Sequence, residues 1–351
     1  MDAVPYTFVD SVVELFDGEY TLDPLAREVQ NPLWKEVVDF HHLNREYYLV
    51  EFQMTEKSMS FIAQRKGYAL RSQRKIYGDL EFIRRNKRFA RISSFSDTTD
   101  FLELEEFKDA KQLKIAEAVR LLESLAPQFE QRSCRISSYL NVASQELVLS
   151  LFLNKVNVGD IKICYFGQIA HDFLQTQITY SPSLKYVWLS GARWPPSVLP
   201  LITTFCFKGK PGKHVSVSIS NTYYPLIDFN FVQTFFYHWK ANANLNFTFS
   251  FHSGGMDLEQ QRVLLFKGQV TQIRPNEHRS LLRHETEKSI AVIHLRSREI
   301  SLEFYCCECD RSSQCLLKER YPDFHEFYEE RRQNRKMVPL ATSRKSMCLL
   351  M

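Results

Sequence analysis

Four cysteines, Cys306, Cys307, Cys309 and Cys315, fall within ten residues in the stretch FYCCECDRSSQC, half of the eight in the chain. Thiols at that density can hold a metal or exchange disulfides. A tetrahedral zinc needs sulfurs about 2.3 Å from the metal, hence under about 4 Å from one another. The run ISLEFYCCE alternates as a strand, which sends Cys306 and Cys307 to opposite faces. On an extended chain Cys307 and Cys309 would lie about 6.6 Å apart. One metal on Cys307, Cys309 and Cys315, completed by His325, therefore requires the chain to bend at Glu308. Without that bend the thiols pack at a strand end, and no metal or other cofactor is expected.

No other cluster has the spacing of a reactive site. His41, His42, His171, His238, His278, His284 and His294 are scattered, and no HExxH pattern accompanies them. The loop Lys208–Lys213 resembles a phosphate cradle in composition, but it follows a helical segment and precedes a strand, the reverse of a phosphate loop. Ser253-Gly254-Gly255 sits at a strand-to-helix junction without a nucleophile motif and reads as a turn. With no catalytic constellation, the chain is not expected to be an enzyme.

The C-terminal CLLM places Cys348 fourth from the end with two aliphatic residues and methionine after it, the pattern of a prenylation site. Arg331, Arg332, Arg335, Lys336, Arg344 and Lys345 upstream are the basic second signal that one lipid chain needs. Membrane association is expected only through Cys348, because no apolar run approaches the roughly 20 residues of a span. The acidic N-terminus is not a signal peptide, so the cytosol or nucleus is expected, with reduced thiols. Arg65 to Arg91 is rich in basic residues, with Tyr68, Tyr77 and Phe89 interleaved. A net charge of only +4 favours a solvated face over nucleic-acid binding.

The elements that would position these residues change period along the chain. Residues 5–45 read as three short helices: Pro5 opens the first, Thr21 caps the second, and Asn31-Pro32 starts the third. Phe8, Val9, Val12, Val13 and Phe16 form the stripe of the first helix, and Leu33, Trp34, Val37 and Val38 that of the third. From Glu46 strands appear, and Asp109–Leu125 reads as an amphipathic helix with Leu113, Ala116, Val119, Leu122 and Leu125 inward. Strands at 161–166, 185–190, 214–220, 245–251 and 289–295 then alternate with helices. This gives an irregular β-α repeat, leucine-rich-repeat-like or solenoid-like, whose units must stack or line up as a parallel sheet. The expected class is α/β (α+β), with segments 1–45 and 46–330 and a basic tail at 331–351.

Read together, MDAVPYTFVDSVVELF, NPLWKEVVDFHHLNREYY, RRNKRFARI, FCFKGKPGK, LLRHETEKSIAVI and CECDRSSQCLLKERYPDFHEF resemble a family expanded in Caenorhabditis. Its N-terminus is F-box-like and its body is of the F-box-associated type. The resemblance runs over most of residues 1–330. It implies a substrate receptor of a Skp–cullin ubiquitin ligase, with the N-terminal helices docking on a Skp-type adaptor and the body binding an unidentified protein target. Carried onto this chain, the docking positions are Val4-Pro5, Phe8, Val9, Val12, Leu15, Leu25, Leu33 and Trp34. Val4-Pro5 stands where the motif has Leu-Pro, and Asp17-Gly18-Glu19-Tyr20 is unusual for its first loop. The alternatives are a scaffold without adaptor binding and a module tethered through Cys348.

Overall fold

The computed structural model describes residues 4–67, 76–101, 104–138, 141–191, 193–220, 226–311 and 315–326. The protein is a mixed α/β molecule built on one large mixed sheet.

The N-terminal helices come first along the chain. Helix α1 (Tyr6–Glu14) starts behind Pro5, whose fixed φ suits a helix entry. The second begins at Asp17, not at Thr21: the Asp17 carboxylate accepts from the Tyr20 N–H at 3.1 Å. A π-helical turn, Gly18–Leu22, then runs into α2 (Asp23–Glu28). Helix α3 (Pro32–Asn44) is capped as its sequence suggests, with Asn31 Oδ1 accepting from the Trp34 N–H at 3.3 Å. Val9, Val13, Leu22, Val37 and Val38 close a small core among these helices.

From Glu46 the chain enters the sheet. Strands β1 (Glu46–Met54), β2 (Ser58–Arg65), β3 (Ile76–Tyr77) and β5 (Gln112–Lys114) make one end, with β2 antiparallel to the other three. Helix α4 (Glu81–Arg85) leads to β4 (Ala90–Asp97), which lies parallel to β1. Helix α5 spans only Ile115–Leu125; residues 112–114 were expected to be helical but pair with β2 as β5. The buried face of α5 is Ala118, Leu121, Leu122 and Leu125, while Ala116 is exposed.

A run of parallel pairing follows in chain order: β6 (Arg135–Ser138), β7 (Asp160–Cys164), β8 (Tyr186–Ser190), β9 (Val215–Ile219) and β10 (Phe247–His252). Between them run α6 (Val142–Phe152), α7 (Gln168–Tyr180), α8 (Val198–Cys206) and α9 (Phe229–Asn242). Parallel strands added in one direction through right-handed crossovers place their helices on one face. The burial agrees: Ile161, Ile163, Val187, Leu189, Val215, Val217, Phe247 and Phe249 point into a single continuous core with those helices. Aromatic side chains carry much of it. The ring centroids of Phe52 and Phe95 lie 5.0 Å apart, those of Phe235 and Phe247 5.3 Å, and those of Phe247 and Phe304 4.7 Å.

Helix α10 (Leu258–Leu265) is followed by a meander, β11 (Gln269–Arg274), β12 (Glu277–Arg283), β13 (Ser289–Arg296) and β14 (Glu299–Cys306), antiparallel throughout and joined to β10 through β14. The alternation sends Ile300, Leu302 and Phe304 to the main core and Ser301, Glu303 and Tyr305 to the opposite, open face. Across that face the register aligns Ser96, Ser137, Lys162, Trp188, Ser218, Ser250 and Ser301 in one row. At its β14 end the short helix α11 (Leu316–Arg320) folds over the open face, and Leu317 packs with Ile290, Val292 and Tyr305. The expected polar helix at 322–335 is helical over 322–326, and the rest lies outside the described residues, as do the tail and Cys348.

Candidate functional site

Two places bring together side chains that could act on something outside the chain. The first is the N-terminal helical unit. Having closed its own core, it presents Pro5, Phe8 and Leu15 outward; Phe8 is 57% exposed and Leu15 84% exposed. Val12 is half-buried; Leu25, Leu33 and Trp34 are half-buried against that core, and Trp34 stacks on Phe16 with centroids 6.5 Å apart. Val9 was expected to meet a partner and is instead fully buried. On a helix each residue turns about 100° from the one before, and that step carries Val9 from the outward side of Phe8 into the core of the unit.

A polar seam holds this unit against the sheet. Arg45 is buried where α3 meets β1. Its guanidinium donates to the Glu14 carbonyl at 2.9 Å, the Val13 carbonyl at 3.4 Å and the Phe16 carbonyl, gathering the carbonyls at and just beyond the C-terminus of α1. Arg91 adds a bond to the Glu14 carbonyl at 3.2 Å. The Gly18 N–H donates to Glu130 Oε1 at 3.0 Å, and a Cβ at Gly18 would lie 1.7 Å from the Tyr47 hydroxyl. That close approach accounts for the glycine in a loop that looks unusual for the motif. Burial, with the Asp17 carboxylate close by, pushes Glu130 up to about 7. His41 Nε2 lies 2.9 Å from Asp10 Oδ1, which Arg88 also meets at 2.5 Å. Burial lowers the His41 pKa; Asp10 is also lowered, because the His41 bond and the Arg88 charge outweigh its own partial burial. Much of the basic stretch at 65–91 thus finds partners within the molecule: Arg65 pairs with Glu46 at 3.0 Å and Arg84 with Glu81 at 2.6 Å.

The second place is the end of β14. The extended geometry of the strand does not continue there, and the reason is local. Pairing stops at Cys306; the Cys307 N–H makes one more bond to the Lys288 carbonyl at 2.8 Å, and the chain then turns, with the Arg311 N–H donating to the Glu308 carbonyl at 2.9 Å. Glu308 is pulled inward by the Asn246 amide. The bend at Glu308 that a metal site requires is therefore present. Cys307 Sγ and Cys309 Sγ lie 3.3 and 3.1 Å from His325 Nε2, and with Cys315 Sγ the four atoms fall within 4.8 Å of one another. Cys306 points into the core and stays out of the cluster, as strand alternation requires. Among the described residues no other group of three or more such side chains is so arranged. The sulfurs differ sharply. Burial and the neighbouring sulfurs push Cys309 up to about 12, whereas Cys315 is lowered despite its burial, because the backbone N–H groups of Glu308 and Lys318 point at its sulfur.

Comparison of the chain with protein-family models, with curated proteins and with solved structures finds no match. No helix among the described residues is long and apolar enough to cross a membrane.

What the sequence missed at the cluster was the end of the strand. The signal available was Glu308-x-Asp310 directly after the alternating run, acidic residues that a central strand seldom carries. At the helical unit, the expected docking residues divide by direction: Pro5, Phe8 and Leu15 face outward, Val12, Leu25, Leu33 and Trp34 are half-buried, and Val9 is buried.

Proposed function

We propose that this protein is a non-catalytic receptor that docks on a Skp-type adaptor through its N-terminal helices and presents the open face of its sheet to a protein target. One observation carries the docking half. The three helices bury Val9, Val13, Leu22, Val37 and Val38 among themselves and still leave Phe8 and Leu15 on the surface. Each large apolar side chain left in water forgoes about 1.5–3 kcal/mol, which a docking partner that covers it would recover. The F-box resemblance supplies the kind of partner. The receptor half draws support from the unidirectional β-α run, read as an irregular leucine-rich-repeat-like array, and from the row of serines flanking Lys162 and Trp188, short side chains over which a protein can approach closely.

Co-purification with a Skp-type adaptor tests the docking half. The wild-type chain binds, the Phe8→Ser/Leu15→Ser variant does not, and failure of the wild type to bind overturns the reading. The scaffold alternative draws on the polar seam, which would fasten the unit to the body whether or not a partner exists; it requires the double variant to behave as the wild type in every binding experiment. Tethering through Cys348 is a separate question, answered by the mass of the C-terminal peptide from eukaryotic cells.

A further inference from the structure

We propose that Cys307, Cys309, Cys315 and His325 form a structural zinc site that fastens the segment carrying α11 to the open face of the sheet. The four ligands come from three pieces of chain: the end of β14 with its turn, the residue before α11, and the helical turn after it. A tetrahedral zinc with bonds of about 2.3 Å to sulfur and 2.0 Å to nitrogen holds its sulfur and nitrogen ligands about 3.5 Å apart. The two sulfur-to-nitrogen distances, 3.3 and 3.1 Å, lie close to that spacing, and the remaining separations among the four atoms all fall within 4.8 Å.

Three thiolates and an imidazole suit zinc and not magnesium or calcium, which take oxygen ligands. All four tetrahedral positions are filled by the protein, so no position remains for an attacking water and the role is structural. Cys315 is oriented as metal thiolates are, its sulfur accepting the Glu308 N–H at 3.4 Å. Binding converts each thiol to a thiolate as its S–Zn bond forms and releases up to three protons to solvent; the imidazole gives the lone pair of Nε2 and keeps its proton on Nδ1.

The mechanical need for the metal is visible beside it. The segment 315–326 touches the sheet through a small apolar patch, chiefly Leu317 against Ile290, Val292 and Tyr305, together with hydrogen bonds from Arg320 to the Tyr305 hydroxyl at 2.8 Å and from the Tyr321 hydroxyl to Glu303 at 3.2 Å. A metal linking 307–309 to 315 and 325 closes this segment at both ends.

The full-length chain, purified with reductant and without added chelator, is measured for zinc, then stripped and titrated with cobalt. The expected result is about one zinc per chain and a cobalt spectrum with thiolate charge-transfer bands and the intense visible bands of tetrahedral coordination. Cys309→Ser removes an exposed ligand without disturbing the core and is expected to weaken cobalt binding more than about 100-fold. Cys306→Ser, one residue from the cluster but facing the core, keeps the stoichiometry. Stripping speeds amide exchange over 315–326 and leaves that of β7 and β8 unchanged. Three results each overturn the proposal: no zinc retained or taken up by reduced, folded protein, an octahedral cobalt spectrum, or undiminished binding by Cys309→Ser.

Discussion

The first and last described segments, residues 5–45 and 315–326, meet the same sheet by opposite means. The N-terminal unit has its own apolar core and touches the body mainly through charged and polar groups: Arg45 and Arg91 on the carbonyls of α1, Glu130 on the Gly18 N–H, Arg88 on Asp10. The C-terminal segment has almost no core of its own and depends on what it touches, a small apolar patch and a cluster of thiols. An end with a core can spare part of its surface for a partner. One without a core has to be tied down at every side chain it has. The exposed Phe8 and Leu15 at one end and the convergence of four ligand atoms at the other follow from that difference.

The largest effect that would break the comparison is at Arg45. Arg45→Ala removes three hydrogen bonds at the end of α1, leaving Arg91 on the Glu14 carbonyl, and empties a buried site, at a cost of about 3–4 kcal/mol. Because the loss falls on the seam, amide exchange in α1 and α3 should accelerate far more than in β7 to β10. If urea unfolding shifts by less than about 1 kcal/mol, the seam is not what holds the unit.

At the other end, Leu317→Ala removes the buried anchor of α11 and should cost about 2–3 kcal/mol. Hydrogen exchange is expected to rise over 315–326 with no change in the N-terminal helices. Acceleration at both ends in either variant would mean that the two are coupled through the sheet, and the contrast between them would collapse.

How far this contrast was legible in the sequence depended on whether the deciding contact was local. Asn31-Pro32 marks the start of α3 because a cap and its first turn lie side by side in the chain, and the alternating runs of β8, β9 and β10 fix their own inward faces. Residues 112–114 look helical because Leu113 continues the stripe of α5; they form a strand because Met59, more than fifty residues away, supplies the pairing. β11 and β12 are too polar on their exposed sides to stand out, so the antiparallel end of the sheet is recognisable only from its later half. The thiol cluster was hidden for the same reason. Its closure depends on Asn246 drawing Glu308 inward, and no spacing between cysteines records that contact.

The seam should also respond to pH. Glu130 is raised to about 7, above its ordinary value, so the stability it lends is fully present below about pH 4.5 and is lost as the pH rises through 7. His41 acts in the opposite sense. Its pKa is lowered, so its contribution is whole above about pH 6.5 and fades as the pH falls through its folded value. The two partly cancel in the wild type, which makes the difference curve the informative measurement. Glu130→Gln keeps an acceptor for the Gly18 N–H while removing the ionisation. Relative to the wild type it should gain stability as the pH rises from about 4.5 to above 7. A difference curve flat over that range would place the Glu130 carboxylate in contact with water.

The smallest expected effect is the most discriminating. Phe8→Ser and Leu15→Ser change side chains that already lie in solvent, so thermal and urea unfolding of the isolated chain should move by less than about 0.5 kcal/mol, singly or together. Val38→Ala, in the same unit but fully buried, should cost about 1–3 kcal/mol. If the two surface variants destabilise the chain as much as the buried one, their side chains are packed in solution, and the unit has no free face to offer an adaptor. If they leave stability unchanged while abolishing adaptor binding, fold and docking reside on different sides of one helix. Phe8 and its neighbour Val9 would then divide the two tasks between adjacent residues.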